Sequence, residues 1–237
     1  LWCNDHGEEI TFTFEEMSRL SNKAANFFKN YGVHKGSVVM LILRRRWEYW
    51  ICATALIKLG AIVVPGTLQL TKKDIAYRAN AANIEMFVCV NDAYVCEQME
   101  LAKKEAECIK HIAIVGGVER EGWIPFNKEF ETYPDTFERP TGDAATKNTD
   151  IMQIYFTSGT TGMPKMVCHN YMHPLGHIVT AKYWQRVQEN KLHMSVSDSG
   201  WAKFGWGKIY GQWICGATIF AYDMDKFIPA NLLAVIE

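Results

Sequence analysis

The sequence has almost no net charge and no long apolar run, and these two absences narrow the possible functions first. Its 25 lysines and arginines are balanced by 26 aspartates and glutamates, so the formal net charge is −1. A net charge this close to zero does not indicate a basic surface that would bind nucleic acid or an anionic membrane. Residues 201–222 are the most apolar long stretch, but Lys203, Lys208 and several glycines interrupt them, so no membrane span is predicted.

The chain also lacks any C-x-x-C motif, and its seven cysteines are scattered. An odd, dispersed set is typical of reduced thiols rather than a disulfide framework, so we expect a cytoplasmic protein. The chain begins with Leu1 and stops inside the apolar run "NLLAVIE". From this we expect part of a longer protein, with an apolar edge through which the part could self-associate.

Strands and helices alternate along most of the chain, which predicts an α/β fold with mostly parallel sheets covered by helices. The run "SVVMLIL" at 37–43 is β-branched and too short for a helix, so it indicates a buried strand. A helix over 12–32 is marked by a capping box of Thr13 and Glu16 and by Gly32 at its end.

Three regions are predicted within this α/β class. Residues 1–115 form a first βαβ-type half. Residues 116–150, with scattered glycine, proline and aspartate, form an irregular connector. Residues 151–237 form a second half that is incomplete at its C-terminal end.

Hydroxyl and glycine residues are densest in "TSGTTGMPK", directly after a predicted strand at 151–156. Ligands of parallel α/β sheets bind beyond the carboxyl ends of strands. Glycines permit positive φ, and successive N–H groups of such a loop form an anion-binding nest, to which hydroxyls and a lysine add donors and charge. The predicted phosphate cradle consists of Thr157, Ser158, Gly159, Thr160, Thr161, Gly162 and Lys165.

This string is not the loop of the common nucleotide hydrolases, which requires G-x-x-x-x-G-K-[ST]. Gly159 and Gly162 are three positions apart, and Met166 stands where a Mg²⁺-holding hydroxyl would follow the lysine. The alternative is a Ser/Thr/Gly-rich turn without a ligand.

"YFTSGTTGMPK" resembles the signature loop of the AMP-forming adenylating enzymes, which include acyl-CoA synthetases, luciferases and peptide-synthetase adenylation domains. Most of that superfamily has glycine at the position of Met166, and a methionine there with His169 shortly after it is similar to the medium-chain acyl-CoA synthetase branch. The resemblance covers essentially the whole chain, including "TFTFEEMSRLSNKAANFFKNYGVHKGS", "WEYWICATALIKLGAIVVPGTLQLTKKDIAYR" and "SVSDSGWAKFGWGKIYGQWICGATIFAYD".

The resemblance implies part of the large N-terminal domain of an enzyme with two-step chemistry. A carboxylate attacks the α-phosphate of ATP to give acyl-AMP and pyrophosphate, and the thiol of coenzyme A then displaces AMP. Lys165 is implied to stabilise charge on the phosphates, and the ligand of an accompanying Mg²⁺ is expected outside this chain. The family's later motifs and its catalytic C-terminal lysine are not found in this sequence, so we expect the chain alone to be inactive.

The string "SDSGWAKFGWGKIYGQW" alternates aromatic residues with glycines. Pattern alone favours core packing for these aromatics. The resemblance instead implies that Phe204, Gly205, Trp206 and Gly207 border the tail of the carboxylic acid. Trp206 would limit chain length, which favours short- or medium-chain fatty acids or small aromatic acids.

Two basic clusters leave other readings open. His169, His173 and His177 have the spacing of a zinc site on one helical face, but Pro174 disfavours a helix through them, and no metal site is predicted. The arginines at 44–46 follow a strand, and a solvated turn is favoured over a nucleic-acid contact. A nucleotide-binding or structural module without independent catalysis is the alternative to a synthetase.

Overall fold

A computed structural model describes residues 1–158 and 162–236. This described part contains eleven strands and nine α-helices, with a π-helical turn after the sixth helix. The strands are β1 (Trp2–Asn4), β2 (Glu9–Ile10), β3 (Val38–Ile42), β4 (Ile62–Pro65), β5 (Ile84–Val90), β6 (His111–Val115), β7 (Ile124–Pro125), β8 (Ile151–Thr157), β9 (Lys165–Asn170), β10 (Leu192–Met194) and β11 (Thr218–Asp223). The helices are α1 (Phe14–Asn30), α2 (Glu48–Leu59), α3 (Lys72–Ala82), α4 (Ala93–Lys103), α5 (Phe126–Phe130), α6 (His173–Val179), α7 (Ala202–Lys208), α8 (Tyr210–Ile214) and α9 (Pro229–Ile236).

The strands form two sheets. The larger has the order β7-β6-β5-β3-β4-β8-β9, and the smaller has the order β10-β11-β1-β2. In the larger sheet every neighbouring pair is parallel except β8 and β9, which form an antiparallel pair at one edge. In the smaller sheet only the β1–β2 pair is antiparallel. The predicted α/β class with mostly parallel sheets is confirmed.

The centre of the large sheet is covered on both faces, which explains the continuous apolar run of β3. Successive side chains of a strand point to opposite faces. Val39 and Leu41 therefore pack into a cluster with α1 and α2, while Met40 and Ile42 pack into a second cluster with α3 and α4. The predicted capping box of α1 is confirmed, because Glu16 N donates to Thr13 Oγ1 at 3.1 Å and Thr13 N donates to Glu16 Oε2 at 2.7 Å.

The segment 116–150 is more regular than the sequence predicts, because it contains β7 and α5. Phe126 and Phe130 are fully buried and stack with ring centroids 4.8 Å apart. Phe126 also meets Phe27 of α1 at 5.1 Å. Both elements have five residues or fewer, so their stability comes from these distant contacts rather than from a local pattern. Because β8 and β9 then join the sheet that contains β3 to β7, the predicted first and second halves share one sheet.

The arginines at 44–46 are not the solvated turn that the sequence favours. Arg44 Nε lies 3.3 Å from Asp223 Oδ1 of the small sheet, and Arg45 donates to the carbonyl of Val196. Arg46 makes two hydrogen bonds to the fully buried Glu48. The contacts of Arg44 and Arg45 hold the end of β3 against the small sheet and the segment after β10, a use of arginine that local sequence does not reveal.

Candidate phosphate-binding site

The predicted phosphate string lies in the hairpin between β8 and β9. The sequence predicts no strand at 165–170, but there the chain turns back along β8 and places Lys165 directly opposite Thr157. The hydroxyl of Thr157 donates to the carbonyl of Lys165 at 3.5 Å. Thr157, Ser158, Gly162 and Lys165 therefore meet at the mouth of one hairpin, whereas the predicted contributions of Gly159, Thr160 and Thr161 lie outside the described residues.

The hairpin opens at the edge of the sheet where ligands of α/β proteins bind. Ser158 follows the carboxyl end of β8, which is parallel to β4. Gly162 has φ +99°, a conformation that a residue with a side chain rarely adopts. The side chain of Lys165 is exposed and forms no ion pair with another described residue, so its charge is available to a ligand.

Helix α3 supports this loop, and sequence reasoning missed that contact. The hydroxyl of Tyr77 donates to the carbonyl of Pro164 at 3.0 Å, and its ring meets Phe156 at 6.4 Å. The guanidinium of Arg78 lies 5.2 Å from the centroid of the Phe156 ring, and burial lowers the pKa of Arg78. Both ends of the loop are therefore held by two consecutive residues of one helix.

The three histidines come together, but not on one helical face. His169 belongs to β9, and α6 begins at His173, directly before Pro174. The ring centroids of His169 and His173 are 3.9 Å apart, and the Nε2 atoms of His173 and His177 are 3.0 Å apart. Burial lowers the pKa of each of these imidazoles, that of His173 to about 4 with a further contribution from its histidine neighbours. Within residues 1–158 and 162–236, no group of three or more His, Cys, Asp or Glu residues is arranged to hold a metal ion.

The aromatic residues of the predicted acyl segment differ in their burial. Phe204 is fully buried, and its ring lies 4.9 Å from Tyr49 and 5.1 Å from Trp50, so core packing describes this residue. Trp206 is half-buried and its ring lies 4.9 Å from that of Trp184.

The two glycines of this segment are in close contacts. A Cβ on Gly205 would lie 2.6 Å from the hydroxyl of Tyr155, and one on Gly207 would lie 3.2 Å from Ser195 Oγ. Backbone proximity therefore accounts for the glycines here, and an acyl pocket beside Phe204, Gly205, Trp206 and Gly207 stays a prediction.

A buried amine lies next to the same segment and was not predicted. Lys208 is fully buried, its ammonium lies 5.5 Å from the Phe204 ring, and it has no hydrogen-bond partner among the described residues. Burial lowers the pKa of Lys208 to about 7, with a smaller effect from Arg45. The amine is therefore close to half neutral at neutral pH, which makes its burial less costly.

Comparison with known protein families shows which family the chain belongs to. The model of the family described as "AMP-binding enzyme" matches residues 2–237. The chain belongs to this family. The family resemblance seen in the signature loop is thereby confirmed.

Individual relatives agree with this assignment. Acyl-coenzyme A synthetase ACSM3, mitochondrial, of Pongo abelii is 33% identical over 238 residues, which are 100% of this chain and 40% of that protein. Acyl-coenzyme A synthetase ACSM4, mitochondrial, of Homo sapiens is 34% identical over 228 residues, which are 95% of this chain and 38% of that protein. The chain thus spans about 40% of the length of these curated relatives.

Solved structures show the same fold. The anthranilate CoA ligase AuaEII, solved with anthranoyl-AMP, superimposes with a TM-score of 0.84 at 22% identity, over 99% of this chain and 44% of that one. The Brucella canis acyl-CoA synthetase superimposes with a TM-score of 0.82 at 21% identity, over 98% of this chain and 41% of that one.

Among the described residues, none of the helices combines the length and the apolar composition that a membrane span requires.

Proposed function

We propose that this chain is part of an AMP-forming acyl-CoA synthetase, which activates a carboxylic acid with ATP and transfers the acyl group to coenzyme A. Family membership over residues 2–237 supports the proposal. Its chief structural support is the β8–β9 hairpin, which presents Thr157, Ser158 and Lys165 at the carboxyl edge of the parallel sheet. The relatives named above are acyl-CoA synthetases.

In this proposal the hairpin stabilises the phosphates of ATP while the carboxylate attacks the α-phosphate. The attacking group is already an anion, so this step needs no general base, and the protein acts by positioning and by charge stabilisation. Lys165 supplies the positive charge and Thr157 and Ser158 supply hydroxyl donors. Mg²⁺ would accompany ATP as its counterion, held by the phosphates and by residues outside this chain.

The acid is proposed to be a short- or medium-chain fatty acid or a small aromatic acid. One solved neighbour is titled an anthranilate CoA ligase, and two relatives carry the name of acyl-CoA synthetases of the ACSM group. Trp206, whose half-buried ring lies 4.9 Å from that of Trp184, is the residue that would set the length of the acyl tail.

Location and assembly also remain proposals. The scattered free cysteines favour a reducing compartment such as the cytoplasm, whereas the relatives above are named mitochondrial. Exposed apolar side chains such as Leu175, Val179 and Leu233 on α6 and α9 support self-association of this chain. Cell fractionation and light scattering would test these two points.

Carboxylate-dependent ATP–pyrophosphate exchange tests the proposed function. The acids would run from acetate to octanoate, with benzoate and anthranilate added, and the chain would be assayed beside the full-length protein. Exchange by the full-length protein with one of these acids is the expected result, and the acid that gives the highest kcat/KM identifies the substrate. Absence of exchange with every acid would contradict the synthetase and favour a nucleotide-binding module without catalysis.

A further inference from the structure

A cavity of about 320 Å³ lies away from the phosphate hairpin. Its walls come from the end of α2, from the segment before β8 and from the residue after β9. The lining residues are Ile57, Lys58, Arg139, Pro140, Ala145, Thr146, Lys147, Asn148 and Tyr171. The cavity therefore borders the amino end of β8, while the hairpin follows its carboxyl end. Seven strand residues separate these ends by about 20 Å.

The charges around this cavity are unbalanced. Its lining contains three cations, Lys58, Arg139 and Lys147, and no carboxylate. The nearby acid Asp150 is already engaged, because its carboxylate lies 2.9 Å from Lys35 Nζ and accepts from the backbone N of Lys147 at 2.7 Å. Neither Arg139 nor Lys147 forms a side-chain ion pair with another residue of the part that the structure describes.

One of the three cations is fixed in place. Lys58 Nζ donates to the carbonyl of Ser18 at 2.9 Å, to Ser21 Oγ at 2.7 Å and to Asn22 Oδ1 at 2.6 Å. Burial, and then the charge of Arg139, lower the pKa of Lys58 to about 8. The protein thus holds two cations close enough to repel each other, and no carboxylate of residues 1–158 or 162–236 forms an ion pair with either.

The uncharged residues of the lining determine the shape of the cavity. Tyr171 is fixed by donation from its hydroxyl to the carbonyl of Ile57 at 3.1 Å, so its side chain forms a rigid side of the cavity. Ile57, Pro140 and Ala145 add apolar surface. A volume near the lower limit of ligand pockets, which is about 300 Å³, admits one small molecule.

We propose that this cavity binds a small phosphorylated molecule at a site distinct from the phosphate hairpin. Arg139 and Lys147 donate to the phosphate oxygens, an interaction that is stronger than a neutral hydrogen bond because both partners are charged. Lys58 stabilises the same anion through its fixed charge. A bound anion offsets the repulsion between Lys58 and Arg139. Any phosphate group that fits beside Tyr171 would be stabilised in this way.

Calorimetric titration with inorganic pyrophosphate, at constant ionic strength, tests the proposal. The starting protein is the Lys165→Ala variant, in which the phosphate hairpin has lost its lysine. We expect one binding event per chain in this variant. Adding Arg139→Ala and Lys147→Ala should weaken it about 10²–10⁴-fold, since two charged hydrogen bonds of about 1.5–3 kcal/mol each are lost.

A matched variant separates a site from general charge attraction. Lys103→Ala with Lys104→Ala, on the Lys165→Ala background, removes two exposed lysines that lie outside this cavity and should leave affinity unchanged.

Equal affinity with and without Arg139 and Lys147 would overturn the proposal, as would equal weakening in the Lys103 and Lys104 control. Absence of any binding to the Lys165→Ala variant would overturn it as well. None of these measurements uses acyl-CoA synthesis, so this proposal and the proposed function fail independently.

Discussion

Strands β3 and β9 belong to the same sheet, yet they are built for different tasks. All five residues of β3 are buried, whereas five of the six residues of β9 are exposed. β3 lies between parallel neighbours under helices on both faces, while β9 is an antiparallel edge strand that begins with Lys165. The comparison teaches that the centre of the sheet provides stability and that its edge is free to present charge to a ligand.

The largest expected difference between the two strands is in stability. Leu41→Ala in β3 should lower the free energy of unfolding by about 2–5 kcal/mol, because it removes buried methyl groups and leaves a cavity. Val167→Ala in β9 should change it by about 0.5 kcal/mol or less, since this side chain is exposed. Urea unfolding of both variants measures the comparison, and similar losses would show that β9 is not the weakly packed edge described here.

The opposite ranking is expected for activity. In the full-length protein, Lys165→Ala should slow ATP–pyrophosphate exchange about 10²–10³-fold, because one electrostatic contact to the reacting phosphates is lost. Its unfolding free energy should stay unchanged, since the side chain is exposed. Lys191→Ala, another exposed lysine outside the hairpin, is the control and should keep full activity. Exchange at the wild-type rate in Lys165→Ala would refute the role of this lysine.

The histidine cluster beside β9 should make this edge sensitive to acid. The pKa of His173 is lowered to about 4 in the folded protein, so the unfolded chain binds protons more readily. The stability is therefore fully present above about pH 6.5, the ordinary histidine pKa, and is lost as the pH falls towards 4. Thermal melting between these pH values should show a shallower fall for His173→Gln than for the wild type.

An exposed histidine provides the control for this pH profile. His6 lies in an exposed turn outside the cluster, with its Nε2 atom 3.2 Å from Asp225 Oδ2, and His6→Gln is the control for replacing a histidine elsewhere in the chain. If His173→Gln and His6→Gln both melt with the wild-type pH dependence, the cluster does not carry the acid sensitivity.

The smallest expected effect concerns the support of the loop by α3. Tyr77→Phe removes the hydrogen bond to the carbonyl of Pro164 and keeps the ring. A net hydrogen bond contributes about 0.5–1.5 kcal/mol, so KM for ATP should rise several-fold while unfolding changes little. Tyr94→Phe, at an exposed tyrosine of α4, is the matched control. An unchanged KM for ATP in Tyr77→Phe would show that the loop does not depend on this contact.

Much of the fold could be predicted because its signals are local. The apolar run of β3, the capping box of Thr13 and Glu16, and the alternation of strands and helices all report on neighbouring residues. The edge strand β9 could not be predicted in the same way, because its sequence "KMVCHN" has neither an alternating pattern nor a continuous apolar run. Its pairing depends on β8, a partner that the local sequence of β9 does not specify.

Similar reasoning applies to contacts outside the hairpin. Arg44 and Arg46 have the appearance of a solvated cluster, but their partners Asp223 and Glu48 are fixed by the approach of the small sheet and by α2. Phe204 is assigned to an acyl pocket by resemblance; its ring packs against Tyr49 and Trp50, and its part in such a pocket stays a prediction. In each case the sequence shows the chemical type of the residue but does not show which residue it contacts.

By itself the sequence determined the α/β class, the position of the predicted phosphate string after a buried strand, and the family to which the chain belongs. Only the tertiary structure decided that Lys165 faces Thr157 across a hairpin, that Tyr77 holds Pro164, and that Lys58, Arg139 and Lys147 meet at the other end of β8. The physical reason is that local pattern records which side of an element is buried. Which distant residue covers that side depends on how all the elements pack.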